Sequence, residues 1–266
     1  MAIVTNQTIK DLFTRYKGIE VTFNKEVSKA TGLQPKKISL KFKETARPCV
    51  LYASSMESAR VIVSLPSAVL QELSENETNV ALKLSFVKDD QPKPVELNFF
   101  VQGRLASFNK YSVEQPDVYF CVINFSTRPP DDLIEILGFL LEANVNATKR
   151  KEERALVTAD SLKKLDLGSK NCIVIVDNLP RKGILRDLSF SGSKVIIQGN
   201  AKFLVNKTAI LRILNSKGEY INISGTILRF EEVQGRRDLA AIALHFTLEA
   251  LPLSYKVMIN NFLLNH

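Results

Sequence analysis

The 266-residue sequence predicts a mainly β protein made of two small antiparallel β-barrels, each followed by a C-terminal α-helix. Three observations predict it. Each half carries a series of short apolar runs and period-two alternations separated by turn-forming residues, the pattern of half-buried strands. Each half closes on a single helix pattern. The two halves also repeat one another residue by residue. Many short strands at close spacing are accommodated by barrels, because closure leaves no edge strand unpaired.

Residues 5–16 place Ile9, Leu12 and Phe13 behind polar starters and predict a short amphipathic helix. Strand patterns follow: IEVTF from Ile19, KISLKF from Lys37, PCVLYA from Pro48, ARVIVSLP from Ala59, NVALKLSFV from Asn79, VELNFFVQGRL from Val95 and VYFCVINF from Val118. SAVLQEL, after Pro66, reads as a short helix. The half closes with PPDDLIEILGFLLEAN, in which two prolines and two acids suit a helix N-terminus and Leu133, Leu137, Leu140 and Leu141 form the apolar stripe. The second half repeats the plan. Residues 155–158 and CIVIV from Cys172 are strand-like, then come RKGILRDLSF, SKVIIQG, TAILRILN, EYINISGTILRF and LAAIALHF, and residues 254–265 form the closing helix pattern.

The repeat aligns residues 50–62 with 184–196 without a gap. Leu51, Ser55, Val61 and Ile62 meet Leu185, Ser189, Val195 and Ile196, and Arg60 meets Lys194. Gly103, Leu105 and Phe108 match Gly225, Ile227 and Phe230, and both closing helices contain FLL, at Phe139 and Phe262. The expected organisation is a first barrel over residues 1–143, a linker over 144–154 and a second barrel over 155–266. The copies differ in polar groups: Asp187, Gly192 and Arg186 are matched by Ala53, Ser58 and Tyr52.

The net charge of +8 belongs to one half. Residues 1–147 hold 17 Lys/Arg and 17 Asp/Glu, whereas residues 148–266 hold 19 and 11. That asymmetry points to an anionic partner for the second half. Cys49, Cys121 and Cys172 lie in apolar strand contexts and read as buried free thiols. His245 and His266 are the only histidines, which excludes most metal-ligand and imidazole acid–base chemistry. With no Ser-His-Asp set, phosphate-binding loop or Cys cluster, catalysis is not expected, nor are a metal or a cofactor. There is no secretory leader pattern and no 18-residue apolar run, so a cytoplasmic location without a membrane span is expected.

Two stretches carry ligand chemistry. In TKRKEER (148–154), Arg150 and Arg154 are four apart, and their guanidiniums can pair bidentately with phosphate oxygens or a guanine O6/N7 edge. In DLSFSG (187–192), Asp187 can accept from the N1 and N2 donors of guanine, Ser189 can donate or accept, and Gly192 permits a backbone conformation or close approach that a side chain would block. Phe190 reads as core. Taken singly, the first stretch is also a solvated charged linker, and the second is also a β-turn whose side chains bond their own backbone.

In this order and spacing, Arg150, Arg154, Asp187, Ser189 and Gly192 resemble the signature of the PilZ domain, the bacterial receptor module for cyclic di-GMP: Arg-x-x-x-Arg, about 20 to 35 residues, then Asp/Asn-x-Ser-x-x-Gly. The resemblance covers residues 148–266 and implies a six-stranded barrel followed by a helix. The first half resembles a degenerate barrel of the same type, as in two-domain members of the family. The resemblance further implies that Arg150 and Arg154 clasp phosphate and guanine, that Asp187 and Ser189 read a guanine edge, and that Gly192 lets it approach. Lys149, Arg186 and Ser191 are further candidates, with Arg181 beside the turn. Lys149 occupies a position that varies in the family, leaving one or two bound dinucleotides open. The implied function is a cyclic di-GMP effector whose interdomain arrangement changes on binding and signals to a protein partner. The alternative is a nucleic-acid-binding barrel acting through the basic second half.

Overall fold

The computed structural model describes residues 5–66, 69, 79–88, 94–115 and 117–264. Alternation in each half curls its strands into a closed ring. The first ring is β2 (Ser39–Phe42), β3 (Thr45–Ser54), β4 (Ser58–Ser64), β5 (Asn79–Lys88), β6 (Val95–Lys110) and β7 (Val118–Phe125), in the order β3-β2-β5-β6-β7-β4, closed by β4 on β3. A two-residue strand, β1 (Val21–Thr22), adds to β3 at Ser54 and Ala53. The second ring is β9 (Asn171–Val176), β10 (Leu179–Leu188), β11 (Gly192–Gln198), β12 (Thr208–Leu214), β13 (Tyr220–Val233) and β14 (Arg236–Phe246), in the order β10-β9-β12-β13-β14-β11, closed by β11 on β10. Here too a two-residue strand, β8 (Ala155–Leu156), adds to the second strand of its ring, β10.

The repeat extends to irregularities. Register slips between Leu51 and Ala53 on β3, and between Leu185 and Asp187 on β10, so Tyr52 and Arg186 occupy the same bulge. A second slip falls between Leu105 and Ser107 on β6 and between Ile227 and Arg229 on β13. Bulges bend a strand and raise its twist, which a six-stranded ring needs at its corners. The matched glycines have a packing cause: a Cβ on Gly103 would lie 2.7 Å from the Asn124 carbonyl oxygen, and one on Gly225 2.4 Å from that of His245.

Each ring is filled from its own strands. Leu40, Leu51, Val61, Leu82, Leu84, Val101 and Ile123 fill the first, and Val174, Leu185, Val195, Leu211, Ile223, Ile227 and Ile242 the second. The chain divides into two compact units, one within residues 3–141 and one comprising 142–266. Helix α1 (Asn6–Tyr16), capped by Thr5, buries Ile9, Leu12 and Tyr16; Phe13 is only half-buried. Helix α3 (Asp131–Lys149) buries the expected leucines on its first turns, with Leu12 of α1 against Gly138. It does not stop at residue 143. Residues 144–149, read from the sequence as linker, are its last turns, because Ala147 continues the buried stripe and Asn146 finds a partner in Asn260. The closing helix of the second unit is α5 (Leu253–Leu264).

Other departures are local. IEVTF contributes only β1, and α2 (Lys25–Thr31) follows it, capped by the Asn24 side chain and ended at Gly32. A single turn, α4 (Ser161–Lys164), precedes β9. The helix expected over residues 67–73 lies, apart from Val69, outside the described residues. Among the described residues no helix is long and apolar enough to cross a membrane.

Cys49, Cys121 and Cys172 are free and buried. Burial pushes each thiol up to about 12, so the reactive thiolate is scarce near neutrality. Labelling by an aromatic disulfide at pH 8 is expected to be at least about 100-fold slower in the native than in the denatured protein. Fast native labelling of one equivalent would show that a strand carrying one of them opens readily.

Candidate functional site

The RKEER segment leads straight from α3 into β8, and β8 pairs with β10 at Asp187 and Leu188. The strand pairing sets Arg154, one residue before β8, beside Asp187, and its Nη1 donates to Asp187 Oδ1 at 2.6 Å. The same carboxylate oxygen accepts from the Lys194 backbone N–H at 2.9 Å. The bulge at Arg186 turns that side chain out to solvent while Asp187 stays buried. A half-exposed guanidinium thus lies against a nearly buried carboxylate, with side-chain exposures of 47% and 11%. A charge-assisted bond of this kind fixes both groups in place.

The DLSFSG turn is held from within. Ser189 is fully buried: its N–H and Oγ–H donate to the Gly192 carbonyl at 2.8 and 3.0 Å, and its Oγ accepts from the Gly192 N–H at 3.0 Å. The hydroxyl expected to read a guanine edge is therefore engaged in the turn, away from the surface. A Cβ on Gly192 would lie 2.1 Å from the Leu244 carbonyl oxygen. That glycine admits the backbone of β14, with which it pairs at His245. Phe190 is fully buried, as expected of core.

RKEER meets this turn at further points. The Ser191 N–H donates to the Lys151 carbonyl at 3.0 Å, and Ser191 Oγ donates to Glu152 Oε2 at 3.1 Å. Arg150 is turned elsewhere: its Nε and Nη2 donate to the two oxygens of Glu153, both at 2.7 Å, and its Nη1 to the Leu263 carbonyl at 3.2 Å. The Glu153 carboxylate raises the arginine's pKa, and the arginine's hydrogen bonds hold the Glu153 carboxyl below its ordinary range. Lys149 is exposed at the end of α3, and Arg181 is half-buried on β10. The structure thus joins Arg154 directly to Asp187, ties Ser191 to RKEER through Lys151 and Glu152, and leaves Arg150, Lys149 and Arg186 engaged elsewhere or facing solvent. Among the described residues no group of His, Cys, Asp and Glu could hold a metal ion.

Residues 7–144 match the family model of the PilZN3 domain. Over 263 residues, 98% of this chain and 83% of the relative, the sequence is 36% identical to a Treponema denticola protein named cyclic di-GMP binding protein. The chain belongs to the PilZ family. Among solved structures it is similar to Borreliella burgdorferi PlzA in complex with c-di-GMP, with TM-score 0.42 and 22% identity over 96% of this chain and 98% of that one. It is also similar to Escherichia coli YcgR in complex with c-di-GMP, with TM-score 0.30 and 9% identity over 98% and 91%.

The PilZN3 half keeps the turn and carries Ala53, Tyr52 and Ser58 where the second barrel has Asp187, Arg186 and Gly192. The Ser55 N–H donates to the Ser58 carbonyl at 2.9 Å and Ser55 Oγ accepts from the Ser58 N–H at 3.0 Å, the same two bonds as in the second PilZ barrel. Ala53 stands for Asp187, and the ion pair there is Arg60 with Glu20, at 2.9 Å. Outward-facing residues diverge further. In the second barrel Lys194 and Ile196 on β11 pair with Ala243 and Ala241 on β14; in the first, Arg60 and Ile62 on β4 pair with Val122 and Phe120 on β7. Tyr52 packs edge-on against Phe120 with ring centroids 5.3 Å apart. The face that is basic and shallow in one barrel is thus filled by aromatic bulk in the other.

Two sets of residues escaped the sequence reading. Tyr255, fully buried on α5, donates its hydroxyl to the Ser189 carbonyl at 2.8 Å and packs edge-on against Phe246, tying the helix to the turn. Its signal was a tyrosine in an apolar helix, whose hydroxyl must find a partner when buried. The second set is Glu152 and Glu153, which accept from Ser191 and Arg150. Their partners come from the fold of the segment, and charge alone does not name them.

Proposed function

We propose that this PilZ protein is a receptor for cyclic di-GMP, held in the second barrel by Arg150, Arg154 and Asp187. The observation that carries this reading is the Arg154–Asp187 pair, which sets a guanidinium fork beside a carboxylate at the rim of the DLSFSG turn. A guanine base offers N1 and N2 donors to the carboxylate, while its O6/N7 edge and the phosphates suit guanidinium. The name of the 36% identical relative supports the same ligand. Ser189 and Gly192 contribute by shaping the turn, and the exposed Lys149 and Arg186 add cationic reach toward phosphate. Ser191 joins the turn to RKEER. No cofactor and no catalytic step belong to this reading.

The proposed output is mechanical. RKEER follows α3, the helix that passes from the first unit into the second, so a dinucleotide clasped by Arg150 and Arg154 biases the end of that helix. It shifts their arrangement only by as much as it prefers one arrangement over the other. A protein partner then reads the change. Isothermal titration of the full chain is expected to show binding that the Arg150→Ala/Asp187→Ala double variant lacks, and small-angle scattering a ligand-dependent change in dimensions. Undetectable binding at about tens of micromolar, or undiminished binding in the double variant, overturns the reading. Steeply salt-dependent binding of a generic oligonucleotide without the dinucleotide would instead support the nucleic-acid alternative.

A further inference from the structure

Resting on the cyclic di-GMP reading, we infer that Glu153 is an internal competitor for the ligand's phosphate and sets the affinity of the site from within the RKEER segment. The geometry of Arg150 points to this. A guanidinium offers its strongest bidentate contact along one edge, and carboxylate and phosphate oxygens fit that edge alike. In this structure both donors of the Nε/Nη2 edge are taken by Glu153, each at 2.7 Å. The remaining Nη1 donates to the Leu263 carbonyl, near the end of α5, where the last carbonyls lack helical partners and the helix dipole favours a cation. Three of the five Arg150 N–H donors, including both of its Nε/Nη2 edge, are thus engaged before any ligand arrives.

The two signature arginines differ in this respect. Arg154 contacts Asp187 through Nη1 alone, and its Nε and Nη2 bond to no protein group among the described residues. A phosphate can add to Arg154 without breaking its existing bond. To gain the Nε/Nη2 edge of Arg150 it must displace a carboxylate. Glu153 can leave at small cost, because its side chain is already 47% exposed and water takes it up. The Leu263 contact need not break, so Arg150 keeps a pivot on α5 while its forked edge changes partner. Glu152 sits differently, accepting one bond from the Ser191 hydroxyl and contacting neither arginine. Glu153 is therefore the carboxylate whose removal frees a ligand group.

The test is calorimetric titration of cyclic di-GMP into the full chain and its Glu153→Gln, Glu153→Ala and Glu152→Gln variants, with thermal midpoints measured alongside. Both Glu153 variants are expected to bind about fivefold more tightly, the scale of a partly exposed ion pair, whereas Glu152→Gln stays within about twofold. A gain in affinity is not what damage to the fold produces. In an Arg150→Ala background the Glu153→Gln gain is expected to vanish, as a double-mutant cycle requires of two groups acting through one contact. Equal or weaker binding by Glu153→Gln at an unchanged thermal midpoint, or a gain that survives in Arg150→Ala, overturns the competitor role and leaves the receptor reading intact. Absence of binding by both wild type and Glu153→Gln overturns the receptor reading and the competitor with it.

Discussion

An Asp187→Ala protein is expected to fold, to lose modest stability, and to bind cyclic di-GMP more than about 100-fold more weakly, a loss of roughly 3 kcal/mol. The carboxylate does two things at once. It receives the Lys194 N–H and it anchors the Arg154 guanidinium. Alanine leaves the first donor without its acceptor, which costs about 1–3 kcal/mol, and releases an arginine that is half-exposed and so easily hydrated. The PilZN3 half supplies the control, since Ala53 holds the equivalent place in an intact barrel with the same bulge. For the ligand the expected loss is larger, because the proposed acceptor for a guanine edge disappears and Arg154 no longer has a fixed position. Asp187→Asn separates the two effects: it retains an acceptor for Lys194, and the family signature admits asparagine here, so binding is expected within about tenfold of wild type. Calorimetric titration with parallel thermal scans measures both quantities. An alanine variant that binds like wild type would remove Asp187 from the site.

Much of this was legible because the chain states its plan twice. A gapless match over 13 residues (50–62 with 184–196) carries with it the bulge, the turn and the closure of each ring, so aligning residue types amounts to aligning geometry. The spacing of Arg150, Arg154, Asp187 and Gly192 was likewise readable, because β8 must pair with β10 for the ring to carry its seventh strand. What escaped was of two kinds. Short helices such as α2 offer only two apolar residues in KEVSKAT, Val27 and Ala30, too few to show a period, although Asn24 and Gly32 at its ends were cap signals. The ends of α3 were obscured by NVNAT, whose polar, weakly helix-forming residues resemble a linker until Asn146 and Ala147 find their partners. The second kind concerns direction. Whether the Ser189 hydroxyl faces ligand or its own turn, and which carboxylate holds Arg150, depends on backbone path, and residue type does not fix it.

Gly192→Ala is expected to lower the stability of the second barrel by about 3 kcal/mol and its thermal midpoint by roughly 10–15 °C, abolishing ligand binding over the same range. The cause is crowding between backbones. The added Cβ would sit 2.1 Å from the Leu244 carbonyl oxygen and 3.2 Å from its carbon. Neither is the end of a flexible side chain, so a strand has to move. The displaced contacts are the Gly192–His245 pair between β11 and β14, together with the bonds between Ser189 and Gly192 that shape the turn. The glycine is not needed for an unusual dihedral, since its φ lies outside the left-handed region occupied by Gly199, Gly218 and Gly235. The first barrel makes the same point with Ser58, which keeps the turn's hydrogen bonds while bearing a side chain and pairs with Asn124 on β7. Ser58→Gly is accordingly expected to change stability by less than about 1 kcal/mol, so that the two substitutions, made at equivalent places, separate close packing from turn conformation. A Gly192→Ala protein that melts with wild type would mean that β14 yields at Leu244 without cost, and that the glycine of the signature serves the ligand after all.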